Sequence, residues 1–389
     1  MNDLFAPVLH DSFEPTLAAA HARIDALEPA RYARTRNHLD GAVSRLSPYL
    51  THGLVDVPAV IARLGQRHAL TPADKIVFEL AWREYFHHLW RHWGDGILSA
   101  RRPAPAARYA AELPADVREG RTGVPVIDAS VRTLYDTGYL HNHARMWLAS
   151  YLVHLRKTGW LAGATWMYRH LLDGDLASNM LSWQWVAGTL TGKPYLFNAE
   201  NVARYAPSLA SRGTAIDDGY ESLDRRARHA ADCGPEPGAH TGIEEPDTAA
   251  PPAESATLPT GADPVWLVHP WSLGEVPPGH VAVGWIEPGF HARFGWSAAR
   301  WAFVAARMRA LCDSVVVGNA DRLRLLWPTA RLSAQATLNP FYAEALRDAR
   351  VTLQPVPRQF DDPPRPQPSF SRFWQTVAPD ASTARPWHR

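Results

Sequence analysis

Four short runs gather the side chains best suited to chemistry. Ser44-Arg45-Leu46-Ser47 sets two hydroxyls and a guanidinium just before Pro48, a residue type favoured in the first turn of a helix. Donors at a helix start suit an anionic phosphate, and a plain serine cap accounts for the same residues. Glu79, Trp82 and Arg83 fall at i, i+3 and i+4, so a helix brings them to one face. A carboxylate, an indole and a guanidinium there can stack on a flat ring and hydrogen-bond its edge. An amphipathic helix with a surface Glu–Arg pair gives the same pattern.

The third run repeats that spacing with Asn142, Arg145 and Met146, downstream of Glu119-Gly120-Arg121-Thr122-Gly123 and Asp128. His141 and His143 invite a metal, but i and i+2 point apart on a helix and no H-E-x-x-H is present. No metal is expected. The fourth run is Leu172-Asp173-Gly174-Asp175-Leu176-Ala177-Ser178-Asn179, followed by Ser182-Trp183-Gln184-Trp185. It begins like a calcium loop, yet the twelfth position is Gln184, not a bidentate glutamate. Two carboxylates, an amide and two indoles within thirteen residues suit a hydrogen-bonded planar heterocycle. A capped loop entering a Trp-rich core helix is the plainer alternative.

The elements that must position these runs are mostly helical. From residue 15 to 210, apolar residues recur at three- and four-residue spacing between Gly- or Pro-marked turns. Residues 1–210 therefore read as an α-helical domain. Residues 211–263 are rich in proline, with eleven acidic residues against four arginines between Arg212 and Asp263. They read as a flexible linker, and the near-neutral total of +1 then hides a basic folded remainder. Apolar runs at Val265–Val268, Val281–Trp285, Ser314–Val317 and Val351–Gln354 alternate with an amphipathic helix over Ser297–Leu311. They predict a small α/β domain over 264–360 with a largely parallel sheet. No Gly-rich phosphate loop follows any of these strands. Residues 361–389 are a Pro-rich tail whose aromatic piece, Phe370, Phe373 and Trp374, is placed to dock on the body.

With 389 residues, 46% hydrophobic and 20% charged, the chain is neither disordered nor a polycation. Cys233 and Cys312 are too few for a four-Cys metal site or a disulfide scaffold. The acidic, proline-containing start lacks the pattern of a signal peptide, and no stretch is long and apolar enough for a span. A cytoplasmic monomer is expected. The 16 tryptophans are the compositional oddity.

Taken in order, E-G-R-T-G-x-P-x-x-D, H-N-x-x-R-M, D-G-D-x-A-x-N and W-Q-W resemble the FAD-binding helical domain of the DNA photolyase/cryptochrome family over residues 30–205. The resemblance implies FAD as cofactor, with reduced FADH− as the active form. It assigns Tyr32, Ser44, Arg45, Leu46 and Ser47 to the phosphates and ribitol, and Arg83 to a further FAD contact. Arg145 stands beside the isoalloxazine, Asp173 and Asp175 near its polar edge and the adenine, and Asn179 opposite N5. Glu79, Trp82, Asn142, Met146 and Trp185 match the pocket for a flipped cyclobutane pyrimidine dimer, with DNA as partner. Two indoles would cover the apolar dimer while Glu79 and Asn142 bond its pyrimidine edges. Related (6-4) enzymes carry histidines at the positions of Asn142 and Met146, so the cyclobutane lesion is favoured. The implied reaction is light-driven electron transfer from the reduced flavin to the dimer, ring splitting and return of the electron.

Trp183 and Trp160 match the proximal and middle members of the family's photoreduction chain. The distal tryptophan has no counterpart, and the region Pro105–Leu113 offers only Tyr109. His143 stands where many members have an arginine near DNA. The family's N-terminal antenna domain does not precede the helical region; an α/β segment follows it instead, as though the order were permuted. None of its residues aligns with an antenna pocket, so a second chromophore is not expected. The rival reading is a cryptochrome-like FAD photoreceptor without repair activity.

Overall fold

The computed structural model describes residues 13–229, 231–235 and 242–379. The first helices are α1 (Leu17–Asp25), α2 (Pro29–Thr35), α3 (Ser47–Thr51), α4 (Val57–Gly65), α5 (Lys75–Trp93) and α6 (Ala115–Arg118). There follow α7 (Pro125–Thr137), α8 (Asn142–Ser150), α9 (Trp160–His170), α10 (Leu176–Ala187), α11 (Ala199–Tyr205) and α12 (Tyr220–Arg228). Strands then alternate with helices: β1 (Thr248–Ala249), β2 (Val265–Val268), β3 (Val281–Ile286), α13 (Pro288–Arg293), β4 (Trp296–Ser297) and α14 (Ala298–Leu311). The chain continues through β5 (Val315–Val317), α15 (Ala320–Leu326), β6 (Leu332–Gln335), α16 (Tyr342–Asp348), β7 (Thr352–Gln354) and α17 (Phe370–Val377). The mainly α architecture with a small α/β region matches the sequence expectation.

Two compact units form, and neither is continuous in sequence. One holds Ala30–Val43 and Asp95–Asp247; the other holds Phe13–Pro29, Ser44–Gly94 and the described residues from Thr248 onward. This corrects the expected division at residues 210 and 264, because α3 and α5 share a unit with the sheet. In the first unit α8, α9 and α10 pack together around Trp147, Tyr151 and Tyr168, all fully buried. Local signals set their ends. Asp175 caps α10 by accepting from Ser178 N at 2.8 Å, and Gly188 closes it in a left-handed conformation at φ +80. Helix α8 runs on through a π-helical turn, Tyr151–Leu155, whose five side chains are all buried.

The second unit contains a five-stranded, wholly parallel sheet in the order β5-β3-β2-β6-β7. Val265 pairs with Val281 on one side and Leu332 on the other. Strand β2 is buried on both faces, which is why it reads as an unbroken apolar run. Helix α14 lies close on β3: a Cβ on Gly284 would meet Met308 Sδ at 2.7 Å. Strand order reverses at β2 and β6, where open α/β sheets hold ligands outside the strand ends. Here the fully buried His269 follows β2 and bonds the Gln335 carbonyl at the end of β6 at 2.9 Å. Burial pushes the pKa of that imidazole down to about 4, so it spans the two ends as a neutral ring.

The segment expected as a flexible linker is largely built into the fold. Ile216, Leu223 and Ala227 are buried, and Lys157 Nζ donates to the carbonyls of Arg226 and Ala227 at 2.7 and 3.0 Å. Asp232 binds Arg156, Glu245 binds Arg118 and His170, and Glu254 binds Arg322. Strand β1 pairs with β4. The acidic excess that looked unable to fold alone is matched by cations elsewhere in the chain. No helix among the described residues is long and apolar enough to cross a membrane.

Candidate flavin and dimer sites

In the first unit, the start of α8 and the loop before α10 meet through charge. Arg145 Nη2 donates to both carboxylate oxygens of Asp173 at 3.0 and 2.8 Å, and its Nε donates to the Leu140 carbonyl at 2.9 Å. The Asp173 side chain is 1% exposed and that of Arg145 25%, so the pair is a buried carboxylate holding a partly exposed guanidinium, which also lies 5.5 Å from the Tyr139 ring. Asp175, two residues on, serves as the α10 cap described above. One turn into α10, Asn179 Nδ2 donates to the Ala164 carbonyl of α9 at 2.8 Å. Its donor end is thereby fixed, and Oδ1 is left as an acceptor. The neighbouring Ser178 Oγ is buried with no hydrogen-bond partner.

Asn142 and Met146 share a face of α8, with Asn142 Nδ2 to Met146 Sδ at 3.4 Å. Trp185 is half-buried against Tyr195, rings 5.5 Å apart. Tyr32, on α2 in the same unit, is buried. Burial pulls the pKa of His143 down to about 4, so this ring is neutral.

Trp183 is 2% exposed and Trp160, at the first turn of α9, is half-buried. The indole of Trp183 lies against Gly163: a Cβ there would meet ring carbons at 2.4 and 2.5 Å. Gly163→Ala is therefore expected to displace the indole, costing about 1–3 kcal/mol. Transient absorption would show slowed flavin photoreduction if Trp183 carries the electron; an unchanged rate would remove it from the path. Tyr109 belongs to a segment stitched to the residues before Trp160, with Ala110 N on the Lys157 carbonyl at 2.7 Å and Gly159 N on the Ala110 carbonyl at 2.8 Å. Trp166 donates to Tyr135 Oη at 3.2 Å.

In the second unit, Ser44-Arg45-Leu46-Ser47 leads into α3. Ser47 is already inside that helix, Leu46 sits at the cap with no side-chain hydrogen bond, and the plain serine-cap explanation does not apply. Arg45 holds φ at +49, a left-handed conformation that side chains rarely adopt and that marks a constrained turn. Arg83 of α5 reaches this segment, its Nη1 3.4 Å from Thr51 Oγ1 and its Nη2 3.4 Å from the Leu50 carbonyl. Glu79 pairs with Lys75 at 3.0 Å one turn away. Trp82 stacks flat on Phe370 of α17, centroids 4.0 Å apart and planes 9° apart.

Sequence reasoning placed the aromatic tail against the body but missed the polar clasp that precedes it. Asp362 accepts from His88 Nδ1 at 2.6 Å and Arg91 Nε at 2.5 Å, and pairs with Arg358 at 2.8 Å. The hydrogen bonds from Arg91 and His88 and the charges of Arg91 and Arg358 hold its pKa down to about 2 despite burial. Burial lowers the pKa of His88, so the ring is neutral and its Nε2 accepts from Gln367 N at 3.0 Å. His88, His92 and Asp362 lie close enough to suggest a metal, with one ligand atom from each within 4.8 Å of the others. Both nitrogens of His88 are already spent on the tail, and two guanidiniums crowd the carboxylate.

Residues 76–218 match the family described as the FAD binding domain of DNA photolyase. A deoxyribodipyrimidine photo-lyase of Streptomyces griseus is 35% identical over 201 residues, covering 47% of this chain and 44% of its own. One from Thermus thermophilus is 38% identical over 190 residues, with the same coverage. A cryptochrome DASH of Vibrio parahaemolyticus is 34% identical over 166 residues, covering 40% of this chain and 37% of its own. The chain thus spans less than half the length of each of these relatives.

Proposed function

We propose, from a chain that carries the FAD-binding domain of the DNA photolyase/cryptochrome family at residues 76–218, that it repairs cyclobutane pyrimidine dimers in DNA by light-driven electron transfer. The residues of the first unit suit a flavin. Arg145, anchored by Asp173, offers a fixed cation that would suit the ring, Ser178 Oγ is a buried hydroxyl in want of a partner, and Asn179 presents an acceptor. In the second unit Ser44, Arg45, Leu46, Ser47 and Arg83 are the groups to hold phosphates and ribitol. FAD, bound and reduced, supplies the photoexcited electron.

The observation that carries the reading is the orientation of Asn179. With Nδ2 tied to Ala164, Oδ1 can only accept, and a protonated N5 is a donor only in reduced flavin. The side chain therefore favours the form able to give an electron away. By the resemblance, Glu79 and Trp82 of the second unit, and separately Asn142, Met146 and Trp185 of the first, are each suited to a pyrimidine dimer, the carboxylate and amide by hydrogen bonds and the others by apolar contact. None of these side chains moves a proton in the reaction; their work is to bind, orient and exclude water.

The test is to reduce the protein, mix it with an oligonucleotide carrying a thymine dimer and illuminate it with near-UV or blue light. Light-dependent recovery of thymine absorbance is expected. Its absence, with flavin present, would favour the photoreceptor reading. Glu79→Ala should lower repair about 10-fold, the loss of one charged hydrogen bond, with flavin content unchanged. A large loss of FAD would instead show that Glu79 serves the cofactor.

A further inference from the structure

Trp82 has two flat faces, and the chain's own tail takes one of them. Phe370 covers it in near-parallel contact at 4.0 Å, while Tyr85 and Phe86 of the same helix touch the indole only at steep angles, 80° and 48°. Among the described residues Phe370 is the one ring stacked flat on the indole, which stays partly exposed. Phe370 does not arrive there on a loose end. Phe370 is 5% exposed and Phe373 1%, and Phe78 meets Phe370 and Trp374 edge-on at 4.8 and 5.4 Å. Phe373 packs on Tyr85 and His88, each with centroids 5.4 Å away.

The approach to α17 is equally fixed. The buried carboxylate of Glu84 accepts from the backbone N–H groups of Gln359 and Phe360 at 2.7 and 3.0 Å. Tyr85 donates to the Gln367 carbonyl at 3.2 Å and His92 bonds that of Pro363 at 3.2 Å. Together with the Asp362 clasp, α5 holds this stretch through Glu84, Tyr85, His88, Arg91 and His92, one stripe of its surface. Four prolines between Asp362 and Ser369 restrict the backbone further. A segment so heavily bonded and buried is a standing part of the unit, not a cover that comes and goes.

We propose that Phe370 is a positioning residue for the substrate: it fixes the plane of the Trp82 indole so that its exposed part is presented to the flipped pyrimidine dimer. The inference rests on the repair reading for what binds there, but not for the fixing of the ring. A loose indole loses rotational freedom when a base stacks on it, and that cost falls on affinity. A ring already held by Phe370 has lost that freedom during folding.

The test uses the full chain labelled with 5-fluorotryptophan, with the Trp82 resonance assigned by Trp82→Phe. Phe370→Leu keeps apolar volume but removes the flat ring. It should shift and broaden the Trp82 fluorine line and weaken binding of a thymine-dimer oligonucleotide about 2- to 10-fold. Phe370→Tyr should restore both. Thr376→Ala, at an exposed position of the same helix, should leave both the fluorine line and dimer affinity as they were. An unchanged fluorine line in Phe370→Leu overturns the proposal, and so does tighter dimer binding, which would make the tail a plug. Phe370→Met replaces the leucine variant if that does not fold. Should the unsubstituted protein bind dimer DNA no better than intact DNA, the repair reading fails while the fluorine arm still decides the role of Phe370.

Discussion

Asp173→Ala should give a folded protein that is purified nearly free of flavin. The carboxylate is 1% exposed and both its oxygens receive Arg145 Nη2. Without it the guanidinium keeps its Nε bond to Leu140 but loses the fork that aims it. Charged hydrogen bonds contribute about 1.5–3 kcal/mol, so FAD affinity should fall roughly 10- to 100-fold. Titrating apoprotein with FAD and following the quenching of flavin fluorescence measures this directly. Asp173→Asn retains one acceptor and should fall between. Asn198→Ala is the control: it removes the α11 cap, worth about 1 kcal/mol, and should lower the melting temperature more than the affinity. FAD binding by Asp173→Ala at the level of the unsubstituted protein would detach the Arg145–Asp173 pair from the cofactor.

Arg156→Ala should produce the largest loss of stability in the first unit. The side chain is 3% exposed, grips Asp116 with Nη1 and Nη2 at 2.5 and 3.0 Å, and holds Asp232 through Nε at 2.7 Å. Asp116 is itself nearly buried, at 9% side-chain exposure. Removing the arginine strands that carboxylate away from water, which costs about 3–5 kcal/mol. At roughly 2–4 °C per kcal/mol for a unit of this size, the melting temperature should drop by about 10 °C or more. Arg156→Lys should rescue little, because one ammonium cannot make three bonds in a planar fork. Joint replacement, Arg156→Met with Asp116→Leu, should recover most of the loss, since no buried charge is then left alone. Calorimetry on the two single variants and the double decides it; additive losses would show that the pair is not coupled.

The chemistry-bearing runs were legible because spacing alone puts their residues on shared helix faces, as α5 and α8 show for Glu79–Trp82–Arg83 and Asn142–Arg145–Met146. Strand β2 and the buried second half of β3 were legible because a strand buried on both faces has nowhere to show a polar residue. Strand β6 was not: its Leu-Ser-Ala-Gln core alternates buried and half-buried positions with small residues and offers little apolar signal. Residues 211–263 were misread because composition weighs a segment alone, whereas Asp232, Glu245 and Glu254 find their cations far away in sequence. The later tryptophans acquire a use that no motif announces. Trp266, Trp285, Trp296, Trp301 and Trp327 are core residues of the second unit, and Trp285 and Trp327 also donate to the carbonyls of Gly318 and Pro259 at 2.8 and 2.9 Å. Trp387 lies outside the described residues. The stack of Phe370 on Trp82 joins positions 288 apart, a distance over which periodicity says nothing.

The interleaving of the two units bears on how the protein is made. A ribosome releases Ser44–Gly94 long before the sheet from Thr248 onward exists, so α5 emerges with its aromatic stripe of Phe78, Trp82 and Tyr85 uncovered. That stripe must wait through synthesis of the whole intervening stretch before the tail arrives to meet it. Newly made chains are most vulnerable to sticking together during that interval. A stop codon just before α17 would leave every helix of the first unit in place, yet make the early state of α5 permanent.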